Sequence, residues 1–135
     1  MASLADYIVL SDGPFEIDSN PGGAPSTRIL EFNLPSNFIV GTNRARPILS
    51  YVHNFISNNG SVGVWINPQF PLLQSQRDHL LTWNNPPHMD VGLWEAIQGT
   101  RFQAGQENRI VFAMQEANSG RVRFRDVVLW IQRDE

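Results

Sequence analysis

Apolar and polar residues alternate along most of this chain with a period of two, the spacing that puts successive side chains on opposite faces of a β-strand. Arg28–Leu34 places Leu30, Phe32 and Leu34 on one face and Ile29, Glu31 and Asn33 on the other. Pro47–Ile56 opposes Leu49, Tyr51, His53 and Phe55 to Ile48, Ser50, Val52 and Asn54, with apolar groups on both faces, so its orientation stays open. Val62, Val64 and Ile66 point inward in the next run, which turns Trp65 the other way. Asp90–Ile97, Asn108–Met114 and Val122–Ile131 complete the pattern, after short apolar runs at Tyr7–Leu10 and Phe15–Ile17. The last two long runs read as neighbouring strands that close a sheet.

Turn chemistry divides these runs. Ser11-Asp-Gly-Pro, Asp18-Ser-Asn-Pro-Gly-Gly-Ala-Pro-Ser and Ser57-Asn-Asn-Gly-Ser61 combine the residues that favour tight turns, and the last of them reads as a hairpin. Asn67–Pro87 has no sustained period, four prolines at 68, 71, 86 and 87, and a possible helical turn around Leu72–Leu81. No segment keeps a helical period over three turns. Six to nine short strands separated by turns predict an all-β protein, an antiparallel β-sandwich of jelly-roll type, in one domain over residues 1–135. In the last strand the alternation slips by one at Arg125–Asp126, which predicts a β-bulge.

The 135 residues suit a single core, and no apolar run approaches the roughly 20 needed to cross a bilayer as a helix, so membrane insertion is not expected. The start, Met1-Ala-Ser-Leu-Ala-Asp6, lacks the basic and apolar regions of a secretory signal, which leaves a cytoplasmic site or export by a non-standard route. Cysteine is absent, which removes disulfides, thiolate metal sites and a cysteine nucleophile. A net charge of −3 argues against nucleic acid as a partner, because backbone phosphates demand a basic surface. All ten cationic side chains are arginine, suited to bidentate recognition of oxyanions, although compositional bias is the better explanation for the absence of lysine.

The order Val62-Gly-Val-Trp-Ile-Asn67, an irregular middle, Phe102–Phe112 and Gly120–Leu129 resembles the jelly-roll domains of the galactose-binding-like superfamily, many of which are carbohydrate-binding modules or lectins. Gly105, Asn108, Ile110 and Asp126 loosely resemble the Gly-x-Asn-x-Ile strand and the Asp ahead of the closing apolar run of those domains, with one more residue between the Gly and the Asn. The resemblance implies a β-sandwich, and for function either sugar binding or a purely structural role. It also implies a place for a structural calcium ion near Asp12, Glu16 or Asp126, though the sequence itself calls for no metal and no cofactor.

Four tryptophans carry the candidate chemistry, since a flat aromatic face is what a sugar ring's axial C–H groups stack against. Trp83-Asn-Asn-Pro-Pro-His-Met-Asp90 unites a stacking group, two amides, an imidazole and a carboxylate on a proline-stiffened loop. Trp83, Asn84, Asn85, His88 and Asp90, with Arg101 as a neighbour, form the expected ligand site. The plainer alternative is a connecting loop in which Trp83 plugs the end of the sandwich. Trp65, Trp94 and Trp130 are expected to face away from the core, as a ligand face or as a contact between subunits of a homo-oligomer. His53, His79 and His88 match no metal-ligand spacing. Arg121, Arg123 and Arg125 line one face of the last strand, for an anionic ligand or for pairing with Glu107 or Glu116 on the adjacent strand.

With no hydrolase, metalloprotease, phosphate-loop or dinucleotide motif present, the protein is not expected to be an enzyme. The reading is a non-catalytic, lectin-like carbohydrate-binding module. Its alternative is a structural subunit of a homo-oligomer or particle, and a small β-sandwich enzyme, which would need a paired acid in a cleft, stands third.

Overall fold

A computed structural model describes residues 3–18, 26–38, 46–114 and 120–134. Among these residues there is no α-helix. Nine strands form: β1 (Ser3–Ser11), β2 (Phe15–Asp18), β3 (Thr27–Asn33), β4 (Ile48–Phe55), β5 (Asn59–Ile66), β6 (His79–Asn84), β7 (Val91–Ala96), β8 (Glu107–Met114) and β9 (Arg121–Asp134). They make two antiparallel sheets. The first runs β1-β9-β4-β7, with β2 beside β1 along the same edge of β9, and the second runs β3-β8-β5-β6.

The two inner faces interdigitate as the alternation requires. Phe15, Ile17, Leu49, Tyr51, Val122, Phe124, Val127, Leu129 and Ile131 meet Leu30, Phe32, Val62, Val64, Ile66, Leu81, Ile110 and Phe112 in one buried cluster. The orientation of β4, open in the sequence, is thereby settled: Leu49, Tyr51 and His53 are buried, and Ile48, Ser50 and Val52 face outward. Phe112 and Phe124, one from each sheet, pack edge to face at 4.9 Å, and Tyr51 packs against both.

β9 organises the first sheet. Its residues 127–134 pair with β1 and its residues 121–124 with β2, while its other edge pairs with β4. Between the two halves Asp126 adopts φ +54°, and the register with β4 shifts there. This is the bulge that the broken alternation predicts. It lets Val122 and Phe124 on one side and Val127, Leu129 and Ile131 on the other all face inward.

Two expectations of connectivity are corrected. Ser57–Ser61 is not a hairpin turn, because β4 and β5 lie in different sheets and the chain crosses the sandwich there. β8 and β9 are likewise not neighbours, one belonging to each sheet. In both cases the expected partner is wrong, because turn-forming residues do not dictate whether the next strand pairs with the last or arches over the core. The helical turn expected around Leu72–Leu81 is present as a single 3-10 turn, Gln74–Gln76, after which the chain enters β6, whose Leu81 and Trp83 point inward.

Candidate functional site

The expected ligand loop is divided by the fold. Trp83 is 5% exposed, stacks on Phe55 at 4.4 Å with 17° between the ring planes, and donates its Nε1–H to the Ser57 carbonyl at 3.2 Å. A ring packed on both sides offers no face to a sugar; Trp83 plugs the end of the sandwich. Asn84 and Asn85 are exposed, and Asn85 takes φ +49° at the turn while its backbone N–H bonds to the Asn58 carbonyl. His88 is exposed and its Nδ1–H donates to the Phe55 carbonyl at 2.7 Å. Asp90 bonds instead toward the first sheet, accepting from Asn54 Nδ2 at 3.2 Å and Arg125 at 3.1 Å. These contacts hold its carboxyl below the usual range, the Arg125 hydrogen bond contributing most.

Arg101 belongs elsewhere. β5 and β6 are antiparallel, with Asn59 beside Asn84 and Val64 beside His79, so Arg101, which bonds to the Ile66 carbonyl, sits at the opposite end from Trp83. There it grips both oxygens of Asp78, at 2.7 and 3.1 Å, and Asp78 also accepts the Ile66 backbone N–H at 2.8 Å. The Asp78 contacts raise the guanidinium's pKa further. Buried Asn108 completes this end, bonding to Gln103, Gln106 and Asn67. A guanidinium committed to a carboxylate and a carbonyl in this way is a staple of the fold.

Trp65 faces away from the main core, as its parity requires, yet it is 2% exposed. The segment after β5 folds back across the outer face of the second sheet, where Leu72 packs on Trp65, Val111 and Ala113, and the Leu73 carbonyl accepts the indole N–H at 2.9 Å. Alternation specifies the face and not what later covers it. Trp65 is therefore no exposed contact for a partner.

Trp94 and Trp130 are different: they are 68% and 47% exposed, and both stand on the outer face of the first sheet. Trp130 pairs with Tyr7 on β1 and Ile48 on β4, and Trp94 pairs with Ser50 on β4. Tyr7, 57% exposed, brings its ring to 5.3 Å from that of Trp130 with the planes tilted by 43°. The Trp130 Nε1–H donates to Ser50 Oγ at 2.9 Å, which holds the indole over β4. Two strand spacings, about 10 Å, separate the strands carrying Trp130 and Trp94. Beside Trp94 a depression of about 390 Å³ is lined by Ser50, Val52, Gly92 and Asp126. The space over Gly92 is open: a Cβ there would meet nothing within 4 Å.

The arginine stripe continues this same face toward the other end of β9. Its acids come from β2, the β6–β7 loop and β9 itself, since β8 and its Glu107 lie in the other sheet and Glu116 falls outside the described residues. Glu16 accepts from Arg121 at 2.5 and 2.9 Å and from Arg123 at 3.0 Å. Arg125 pairs with Asp90 and with Asp126. Burial pushes the Glu16 carboxyl upward, but the hydrogen bonds and charges of Arg121 and Arg123 outweigh it and the net shift is downward. Glu16 and Asp126 are thus held by arginines, and among the described residues no three His, Asp or Glu side chains gather where a metal ion could be held. Asp12, the third residue named for calcium, is in the β1–β2 turn.

Sequence reasoning passed over Tyr7, Ser50 and Gly92. Tyr7 had a signal, since it alternates with Ile8 and Leu10 that turn toward the core. Ser50 and Gly92 had none, because their role depends on which strands lie side by side.

No protein-family model and no curated protein matches the sequence. Solved structures do match in fold. The xylan-binding module CBM15 aligns over 99% of both chains with a TM-score of 0.55 at 9% identity. A structure described as "CBM4 structure and function" aligns over 96% of this chain and 78% of its own, with a TM-score of 0.51 at 15% identity. Dimeric latent PorU from Porphyromonas gingivalis gives a TM-score of 0.64 at 9% identity over 99% of this chain, which spans only 13% of PorU. At these identities the likeness concerns the fold alone, and the chain has the jelly-roll β-sandwich architecture that its sequence resembles.

Proposed function

We propose that this protein binds carbohydrate without acting on it chemically, and that the glycan lies across the outer face of the first sheet. The observation that carries the reading is the arrangement of Tyr7, Trp130 and Trp94: three exposed rings on one face, with one indole fixed by a hydrogen bond to Ser50. Exposed aromatic rings on a soluble surface are costly unless something covers them. Sugar rings stack on such faces, and their hydroxyls need the polar groups found alongside, Ser50, Asn54, Asp90 and Asp126. Of the residues expected from sequence, Asp90 joins this face and Trp94 and Trp130 become its platform. The likeness to carbohydrate-binding modules agrees with the reading at the level of architecture.

The test is a glycan array probed with the wild-type protein and with Trp94→Ala and Trp130→Ala, beside light scattering on the same samples. Binding that free sugar competes away and that either substitution abolishes, with the folded spectrum retained, is the expected result. A silent array together with a multimer that either substitution dissociates would overturn it. The rings would then be buried between copies of this chain, the assembly role that the same exposed surface also suits.

A further inference from the structure

β7 is an edge strand: among the described residues it hydrogen-bonds to β4 on one side and to no strand on the other. The Ile97 N–H donates to the Pro47 carbonyl at 2.8 Å, so the backbone of Ile97 turns toward β4. Antiparallel bonding alternates along a strand. Leu93 and Glu95 therefore bond to β4 as well, and the N–H and C=O groups of Gly92, Trp94 and Ala96 turn away from it. All three residues are exposed. Open edges are commonly blunted by proline, lysine or a bulge. β7 has none of these, and its one charge, Glu95, lies 3.8 Å from His79 of the second sheet.

The side chains along this edge complement their own sequence read in reverse. Gly92 and Trp94 share the outer face, one under open space and the other with a ring 68% exposed. When a second copy lies antiparallel with Leu93 opposite Leu93, each Trp94 stands opposite a Gly92 and its ring covers that glycine. The outward-turned backbone groups of Gly92 and Trp94 then exchange N–H to carbonyl bonds between the copies. Each Glu95 meets a Val91, so like charges stay apart. Each Asp90 comes beside an Ala96 of the other copy. At that end of β7 the exposed Arg46 lines a cleft with Ala96 and has no carboxylate partner among the described residues. Opposite charges thus approach at both ends of the pairing. A shift by two residues would set Trp94 against Trp94 and leave Gly92 opposite Ala96.

We propose that two copies of this chain pair through β7 about a twofold axis at Leu93, so that the first sheet continues across both and the Trp94 of each closes the open side of the depression over the other's Gly92. Tyr7 and Trp130 stay uncovered, and the two aromatic platforms lie on one surface. The pairing does not depend on the carbohydrate reading. A contact of six residues a side is small, so the dimer forms reversibly and with rising protein concentration.

The chain has no cysteine, so single substitutions report the register. The two Leu93 residues would form a non-hydrogen-bonded pair with Cα atoms about 4.5 Å apart, a separation that a disulfide spans. In a glutathione redox buffer Leu93→Cys is expected to become a covalent dimer, and Trp94→Cys and Glu95→Cys to stay largely monomeric. Light scattering over a concentration series reads the native pairing. The wild-type should dimerise, Gly92→Leu should be a folded monomer, and Arg46→Glu should raise the dissociation constant several-fold while Arg109→Glu, on the outer face of the other sheet, leaves it unchanged. A wild-type that stays monomeric throughout overturns the inference, and so does cross-linking of Trp94→Cys in place of Leu93→Cys. A multimer that Trp130→Ala dissociates and Gly92→Leu does not is packed face to face, which overturns it too. The glycan array decides sugar binding separately.

Discussion

The Trp130 indole, on the sheet's central strand, donates to the hydroxyl of Ser50 on the strand beside it, at 2.9 Å. The bond fixes the rotation of an otherwise exposed ring before any ligand arrives, and a preorganised platform loses less freedom on binding. Ser50→Ala removes the acceptor and keeps the ring. Sugar affinity is expected to fall by roughly three- to tenfold, with stability changed by no more than about 0.5 kcal/mol, since both groups reach solvent. Titration calorimetry beside urea unfolding reads both; an unchanged affinity would show that Trp130 needs no such hold.

Two glycines should respond in opposite ways to the same added methyl. At Gly60 a Cβ would stand 2.3 Å from Cζ2 of Trp83, a ring already stacked on Phe55. Gly60→Ala is expected to cost about 2–3 kcal/mol because that packed end has nowhere to move. Gly92→Ala meets open space and should leave stability within about 0.5 kcal/mol. Enlarging the same position, Gly92→Leu, fills the depression beside Trp94 and should abolish sugar binding in a folded protein. Urea midpoints and the glycan assay give the comparison.

Acid should weaken the fold in two steps. Burial lowers the pKa of His53 below its ordinary 6.5, so the unfolded chain takes up a proton that the folded one refuses. Its contribution is complete above pH 6.5 and declines as the pH falls below that value. Glu16, held net downward by Arg121 and Arg123 against the upward push of burial, contributes fully above 4.5 and loses that contribution below it. The urea midpoint is expected to drop between pH 7 and 5, and again below 4.5. His53→Phe should flatten the first step and Glu16→Gln the second, so a first step that persists in His53→Phe would assign it to another group.

Asp78 ties the segment that covers Trp65 to the rest of the molecule, through Arg101 and the Ile66 N–H. Asp78→Ala should free that segment and cost about 2–3 kcal/mol, as expected when a buried backbone donor and a charged partner lose their acceptor. In a background of Trp94→Phe and Trp130→Phe, fluorescence then reports Trp65 and Trp83. A red shift of the emission would follow the exposure of Trp65; an unshifted spectrum would mean that Leu72 and Leu73 hold the cover without Asp78.

Much of the fold was legible because burial on one face of a sheet leaves a period-two mark, as at Leu30, Phe32 and Leu34, and because a bulge interrupts it, as at Asp126. Pairing partners were not legible. The acids that neutralise Arg121 and Arg123 sit over a hundred residues away on β2, and no local pattern announces that. The binding face was half legible for the same reason. Parity turned Trp65, Trp94 and Trp130 all outward, but only the tertiary structure shows that Leu72 covers the first and leaves the other two bare.

The placement of β9 also bears on how the chain acquires its shape. Ser3 pairs with Asp134, and every other strand of the first sheet except β7 hydrogen-bonds directly to β9. During synthesis β1, β2 and β4 emerge long before the strand that joins them. The second sheet, with all four members between residues 27 and 114, is able to assemble first. Pairings that span nearly the whole sequence make folding slow. Until β9 leaves the ribosome, the hydrogen-bonding edges of β1 and β2 stand open, and in that interval the nascent chain depends most on being kept from its neighbours.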